Sequence, residues 1–318
     1  MSQQTLRQAR IIDPILTTHA LGYVRPGNVG QYLFPRVDVA TFGGQILTFG
    51  KEGFRRYNTK RAPGEATKRV QFGYQGKPYA IIPAALEAVV PDETANEAAN
   101  GPGLDASQDA VDIVLDIMEL EHECECADVA RNAANYDNEH KVALVGVNRW
   151  RGASGDPTAD IGVGKEAIRS SIGMRPNTAI LSAAAFEAAK ANPKIQDYLK
   201  HRGFNALTTQ ILASMWEIPN IYIGEAVVAT GQDDDLGDVW GQDVILAFVA
   251  PPSGGNRRNR ARPSYGYTYS MAGEPNVRQA YREENRQSWI HPVNNNRTPV
   301  LSGMVAGYLI QNAGAPAA

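Results

Sequence analysis

Residues 174–200 read MRPNTAILSAAAFEAAKANPKIQDYLK, and they decide the fold. Asn177 to Leu181 is a short apolar run bounded by Pro176 and Ser182, which predicts a buried strand. Ser182 has the side chain of a helix N-cap, and the alanine-rich run behind it predicts a helix through Ala191. Pro193 fits the first turn of a second helix, which continues through Leu199. Strand, helix, helix in 27 residues is the rhythm of a mixed α/β layer.

Working outward, Asp160 to Ile172 and Thr208 to Trp216 carry helical periodicity, while Ile218 to Ile223 and Val239 to Val249 read as strands. From about residue 141 the chain therefore reads as a compact α/β domain. The tract Pro251 to Pro263, with Gly254, Gly255 and four arginines, is an exposed loop. Tyr265 to Met271, Val277 to Glu284 and Met304 to Ile310 follow as strands, the last returning the chain to the region of the long spine helix that precedes residue 140.

The first 140 residues differ in kind. Pro14, Gly22, Pro26, Gly27, Gly30 and Pro35 interrupt every apolar run up to residue 41, predicting an irregular arm without a useful helix. Alternation from Gln45 to Phe49 resumes at Val70, Phe72 and Tyr74 after the turn-forming 61–65, which predicts a long two-stranded hairpin. Tyr79 to Val90 reads as a strand. A helix of about thirty residues, roughly 45 Å long, should start near Gly103 with Asp105 or Ser107 as cap and run to about Tyr136. Its expected buried stripe is Ala110, Ile113, Ile117, Leu120, Cys124 and Ala127, beside an acidic row of Asp112, Asp116, Glu119 and Glu123.

Charge divides along the same line. Residues 81–128 hold thirteen Asp/Glu and no Lys or Arg, whereas residues 1–80 hold twelve Lys/Arg against four Asp/Glu. Such asymmetry suits a chain whose basic part rests on an acidic surface of another copy. The candidate cations are Arg7, Arg10, Arg25 and Arg36 on the arm and Lys51, Arg55, Arg56, Lys60, Arg61, Lys68 and Arg69 on the hairpin. Their seat would be Asp112, Asp116, Glu119 and Glu123. Arg257, Arg258, Arg260 and Arg262 are expected to touch a neighbouring copy around a symmetry axis, with contact to nucleic-acid phosphates as a lesser reading.

The net charge of −3 and pI near 6.0 argue against a dedicated nucleic-acid binder. Cys124 and Cys126 lie one residue apart on a helix, where their side chains diverge, so they form no ordinary disulfide with each other. No leader or membrane-spanning run is visible, and a soluble, unexported protein is expected. Gly162-Val163-Gly164-Lys165-Glu166 looks like a phosphate loop, yet Ala159 and Glu166 occupy positions where that motif needs Gly and Ser/Thr, so it reads as helix. Asp233-Asp234-Asp235 lacks the spacing of a calcium loop. His122, Cys124 and Cys126 are too few for a structural zinc. No catalytic motif accompanies the five histidines, and no cofactor or enzymatic activity is expected.

The order of these elements resembles one family, the major capsid proteins of tailed bacteriophages, whose fold is shared with the herpesvirus capsid floor and with encapsulins. The similarity rests on residues 174–200, Ile218-Pro219-Asn220-Ile221-Tyr222-Ile223-Gly224-Glu225-Ala226, Val239-Trp240-Gly241-Gln242-Asp243 and Gly307-Tyr308-Leu309-Ile310, and spans most of residues 80–312. It implies an α+β fold with an N-terminal arm (1–41), an extended β-hairpin loop (42–78), a peripheral domain with a long spine helix (79–140), an α/β axial domain (141–280) and return strands to the peripheral domain (281–318). It further implies a self-assembling subunit of pentamers and hexamers in an icosahedral head around double-stranded DNA. The implied partners are other copies, a portal protein, an optional decoration protein and packaged DNA, bound non-specifically. The location is the virion, with assembly in the host bacterial cytoplasm and no membrane. Because the arm begins almost at Met1, a separate scaffolding protein is expected. Lys51, Lys60 and Lys68 lie in the loop that some relatives cross-link, but no partner Asn is identified and no cross-link is predicted. An encapsulin-like shell enclosing an enzyme cargo is the alternative, and an α/β hydrolase or nucleotide enzyme a more distant one.

Overall fold

The computed structural model describes residues 12–48, 60, 75–100, 105–202, 206–230, 235–253, 257–258 and 264–316. At its centre Thr178–Ser182 is buried at all five positions, as expected of a strand covered on both faces. It pairs in parallel with Asn220–Gly224 and antiparallel with Val244–Ala247. The sheet continues through Gly307–Gln311 to Lys141–Ala143, giving five strands. The final strand, Gly307–Gln311, lies inside this sheet between Lys141–Ala143 and Val244–Ala247, and its residues share an apolar cluster with Cys126, Ala127 and Ala130 of the long helix; its partner Val244–Ala247 lies about sixty residues upstream, beyond any local pattern.

Local chemistry explains the helices around the sheet. Ser182 accepts from the Ala185 amide at 3.2 Å and starts Ala183–Ala191. Asp156 caps Pro157–Ile172, which ends at Gly173 with φ +70°. The apparent phosphate loop lies inside that helix. A Cβ on Gly164 would come within 2.8 Å of Leu246 and Tyr308, so this glycine permits close helix-to-sheet packing, while Lys165 donates to the Trp216 carbonyl at 2.6 Å.

The spine helix is Ala106–Arg131, capped by Asp105. Its buried residues are Val111, Val114, Leu115, Met118, His122, Glu123, Cys126, Ala127 and Ala130. The predicted stripe is thus corrected: Ile113 and Ile117 are 62% and 52% exposed. Ala85–Pro91 and Ser288–Asn294 pair antiparallel beside the spine's first half, and Ala88, Val293 and Val277 join Val111, Val114, Leu115 and Met118 in one apolar cluster. The strand predicted over 79–90 is two: Gln75–Ala80 pairs with Gly43–Thr48, then Ala85–Pro91 begins. Val70, Phe72 and Tyr74 lie outside the described residues.

The expectation of an arm without helix is also corrected. Pro14–Gly22 is a nine-residue helix whose N-cap Asp13 accepts from the Ile15 and Leu16 amides, and Leu16 and Ala20 enter the apolar cluster with the spine. Asp13-Pro14 is a cap followed by a first-turn proline, a start signal hidden among the helix breakers. No helix among the described residues is long and apolar enough to cross a membrane.

Candidate assembly interface

The four predicted acids do not form one open row; the chain's own arm lies along them. His19 Nε2 is 2.7 Å from Asp112. Tyr23 donates its hydroxyl to Asp116 at 2.6 Å, and burial together with that bond raises the phenol to about 12. Arg25 approaches Asp116 at 3.8 Å and donates to its carbonyl at 2.9 Å. Asn28 donates to the Glu119 carbonyl, and the Glu119 carboxylate is held by Arg297, which also reaches the Met118 carbonyl.

Glu123 is the deepest of the four, 1% exposed. Its Oε1 accepts from the Val29 amide at 2.8 Å and the Trp240 indole at 2.7 Å, and its Oε2 from the Gly30 amide at 2.8 Å. Burial pushes this carboxyl above the usual range despite three donors. It is a buried acceptor inside the subunit, which corrects its expected place on an open flank. Beside it a cleft of about 360 Å³ is lined by residues of the arm and spine together with Thr268 and Arg297. His122, within that lining, lies 3.1 Å from Thr268 Oγ1.

Of the predicted cations, Arg25 therefore meets the acidic row within its own chain. Arg36 pairs with Asp38 at 2.9 Å and donates to the Glu274 carbonyl instead. Lys60 is exposed. Arg257–Arg258 form a short strand against Pro252–Ser253. Arg7, Arg10, Lys51, Arg55, Arg56, Arg61, Lys68, Arg69, Arg260 and Arg262 lie outside the described residues.

Sequence reasoning missed the opposite side of the spine. Asp109, Ile113, Ile117, Glu121 and Asp128 are all exposed there, at spacings of four, four, four and seven that keep them on one side. Two exposed isoleucines bracketed by carboxylates make an amphipathic strip. The absence of Lys and Arg from 105–128 was its visible signal, but not which side would stay open. Among the described residues no group of three or more His, Cys, Asp or Glu is placed to hold a metal ion.

No protein-family model matches the chain. It is 35% identical over 306 residues to the major capsid protein of Burkholderia phage BcepMu, covering 96% of this chain and 97% of that one. A phage-related protein from Bordetella bronchiseptica RB50, solved by crystallography, shares 49% identity with a TM-score of 0.85 over 98% of this chain and 100% of the other. The holo-SrpI encapsulin complex from Synechococcus elongatus PCC 7942 matches at TM-score 0.51 and 10% identity, over 100% and 99%. That last likeness concerns the fold alone, whereas the first two follow the sequence from end to end.

Proposed function

The chain belongs to the major capsid protein family of bacteriophages and is a shell subunit of the virion, and from that premise we propose how its copies meet. The basic hairpin of one subunit rests on the outward side of the next subunit's spine, against Ile113 and Ile117 with Asp109, Glu121 and Asp128 around them. The observation that carries this is the arrangement of the spine. The inner acids are already matched within the same chain, Asp112, Asp116 and Glu123 by the arm and Glu119 by Arg297, while the outer strip is exposed and residues 49–74 bring seven Lys/Arg against two acids. Buried isoleucine supplies the attraction, and the charges set register, since single exposed pairs contribute only about 0–1 kcal/mol.

In this reading Arg7 and Arg10 also reach a neighbour, and Arg257, Arg258, Arg260 and Arg262 contact the next copy around a fivefold or sixfold axis. Pentamers and hexamers then build an icosahedral head around double-stranded DNA. Scaffolding, portal and decoration proteins are its partners during assembly in the bacterial cytoplasm. Its work is structural rather than catalytic. An encapsulin-like compartment shares the fold at 10% identity, whereas a phage major capsid protein is 35% identical over 306 residues.

Negative-stain imaging with light scattering on the purified chain, at low and high salt, tests the reading. Closed particles or capsomers that loosen with salt are expected. Particles equally stable at every salt concentration would remove the charged register, and a discrete monomer persisting even with a scaffolding protein present would remove self-assembly through this surface.

A further inference from the structure

We propose that Glu123 couples the docking of the arm to the seating of the axial segment Val239–Asp243, so that displacing either one loosens the other. The device is a carboxylate shared between two parts of the chain that are far apart in sequence. Its donors are the Val29 and Gly30 amides on one side and the Trp240 indole on the other.

Each side is held tightly enough to transmit a displacement. A Cβ on Gly30 would lie 2.7 Å from Cys126 Cβ and 2.8 Å from Glu123 Oε2, so the arm backbone is pressed against the spine. On the axial side, a Cβ on Gly224 would come within 2.3 Å of the Trp240 ring. Two turns further along the spine Arg131 donates to Asp243 and to the Val239 carbonyl, at 2.8 and 2.9 Å. Segment 239–243 is therefore fixed to the spine at residues 123 and 131, and the arm, held further up the spine at Asp112, Asp116 and the Glu119 carbonyl, shares residue 123 with it.

Sharing the acceptor creates the coupling. A buried carboxylate must have its charge met by donors or take up a proton. Burial already pushes Glu123 upward, and the indole and the two amides oppose that shift. Loss of the indole removes one of the three donors that meet this charge, so the arm amides face a carboxyl that is less well satisfied and more readily protonated. Loss of the arm amides leaves the indole with a poorer acceptor by the same logic, because coupling between two sites is reciprocal. In a shell subunit this would let contacts made by the axial part decide whether the arm stays on its own spine. That use rests on the capsid reading, whereas the coupling itself does not.

Hydrogen exchange on the full-length, unassembled chain tests it, with arm peptides in 13–34 and axial peptides in 236–243 as reporters. Trp240→Phe should raise exchange of the arm peptides by about tenfold while 178–182 and 244–247 keep their protection. Glu123→Gln should do the same, and the double variant should add nothing to Glu123→Gln, because the connection runs through that carboxylate. Gly30→Ala, which acts from the arm side, should raise exchange in 236–243 and covers the case where Trp240→Phe does not fold. Arm exchange at the parent rate in Trp240→Phe, or additive effects in the double variant, would overturn the proposal. So would a Gly30→Ala effect confined to the arm. Each readout concerns a single subunit, so it can fail while assembly succeeds, and the reverse.

Discussion

Burial holds His122 well below its ordinary range, and the nearby Arg297 and Arg36 add to that. The folded chain therefore takes up its proton later than the unfolded chain does. A depressed histidine contributes stability that is present above about pH 6.5 and is lost as pH falls through that value, by at most about 1.4 kcal/mol per pH unit. Glu123 has the opposite sign: its carboxyl is raised by burial, so protonation above the ordinary glutamate range favours the fold. Thermal unfolding from pH 7.5 to 5.5 should show the parent losing stability on acidification. His122→Gln, which keeps a polar partner for Thr268, should make the slope shallower, because what remains is the contribution of His291, also lowered by burial, against that of Glu123. An unchanged slope in that variant would assign the pH dependence to other groups.

At the scale of the element, the spine separates what a sequence can say from what it cannot. Its existence, its Asp105 cap and its amphipathic period are local properties and were legible, as were the Ser182 cap, the Pro193 start and the strand before them. Which side faces inward was not. Acids at 112, 116, 119 and 123 look solvent-facing until partners about ninety residues away are placed on them. Only the fold supplies those partners, and it turns Ile113 and Ile117 outward. The same non-local cause hid the arm helix, whose Leu16 and Ala20 are buried only against the spine cluster. Substitution can read the true orientation: Leu115→Ala, at a side chain 1% exposed, should cost about 2–5 kcal/mol in denaturant unfolding. Ile117→Asp should change monomer stability by no more than about 0.5 kcal/mol. The reverse order would restore the stripe expected from the sequence.

Across the whole molecule, the proposed interface puts both halves of an intermolecular contact on one chain, and this makes the charge pattern testable by exchange. Residues 49–74 are basic and the outer spine is acidic, so in the proposed ring each subunit would offer one sign forward and the other back, the geometry of a heterologous interface. Reversing the hairpin with Lys51→Glu, Arg55→Glu and Arg56→Glu places like charges opposite Glu121 and Asp128. Particle yield in light scattering should fall sharply at low salt and recover partly at high salt, where exposed charges more than a few ångströms apart are screened. Adding Glu121→Lys and Asp128→Lys to the reversed chain should restore assembly without screening, since attraction returns with its sign exchanged. The Glu121→Lys and Asp128→Lys set by itself should leave monomer unfolding nearly unchanged, because both side chains are exposed. Rescue by the second set identifies the hairpin and the outer spine as direct partners. Loss of assembly in the hairpin set without rescue would place the hairpin's partner elsewhere on the neighbouring subunit.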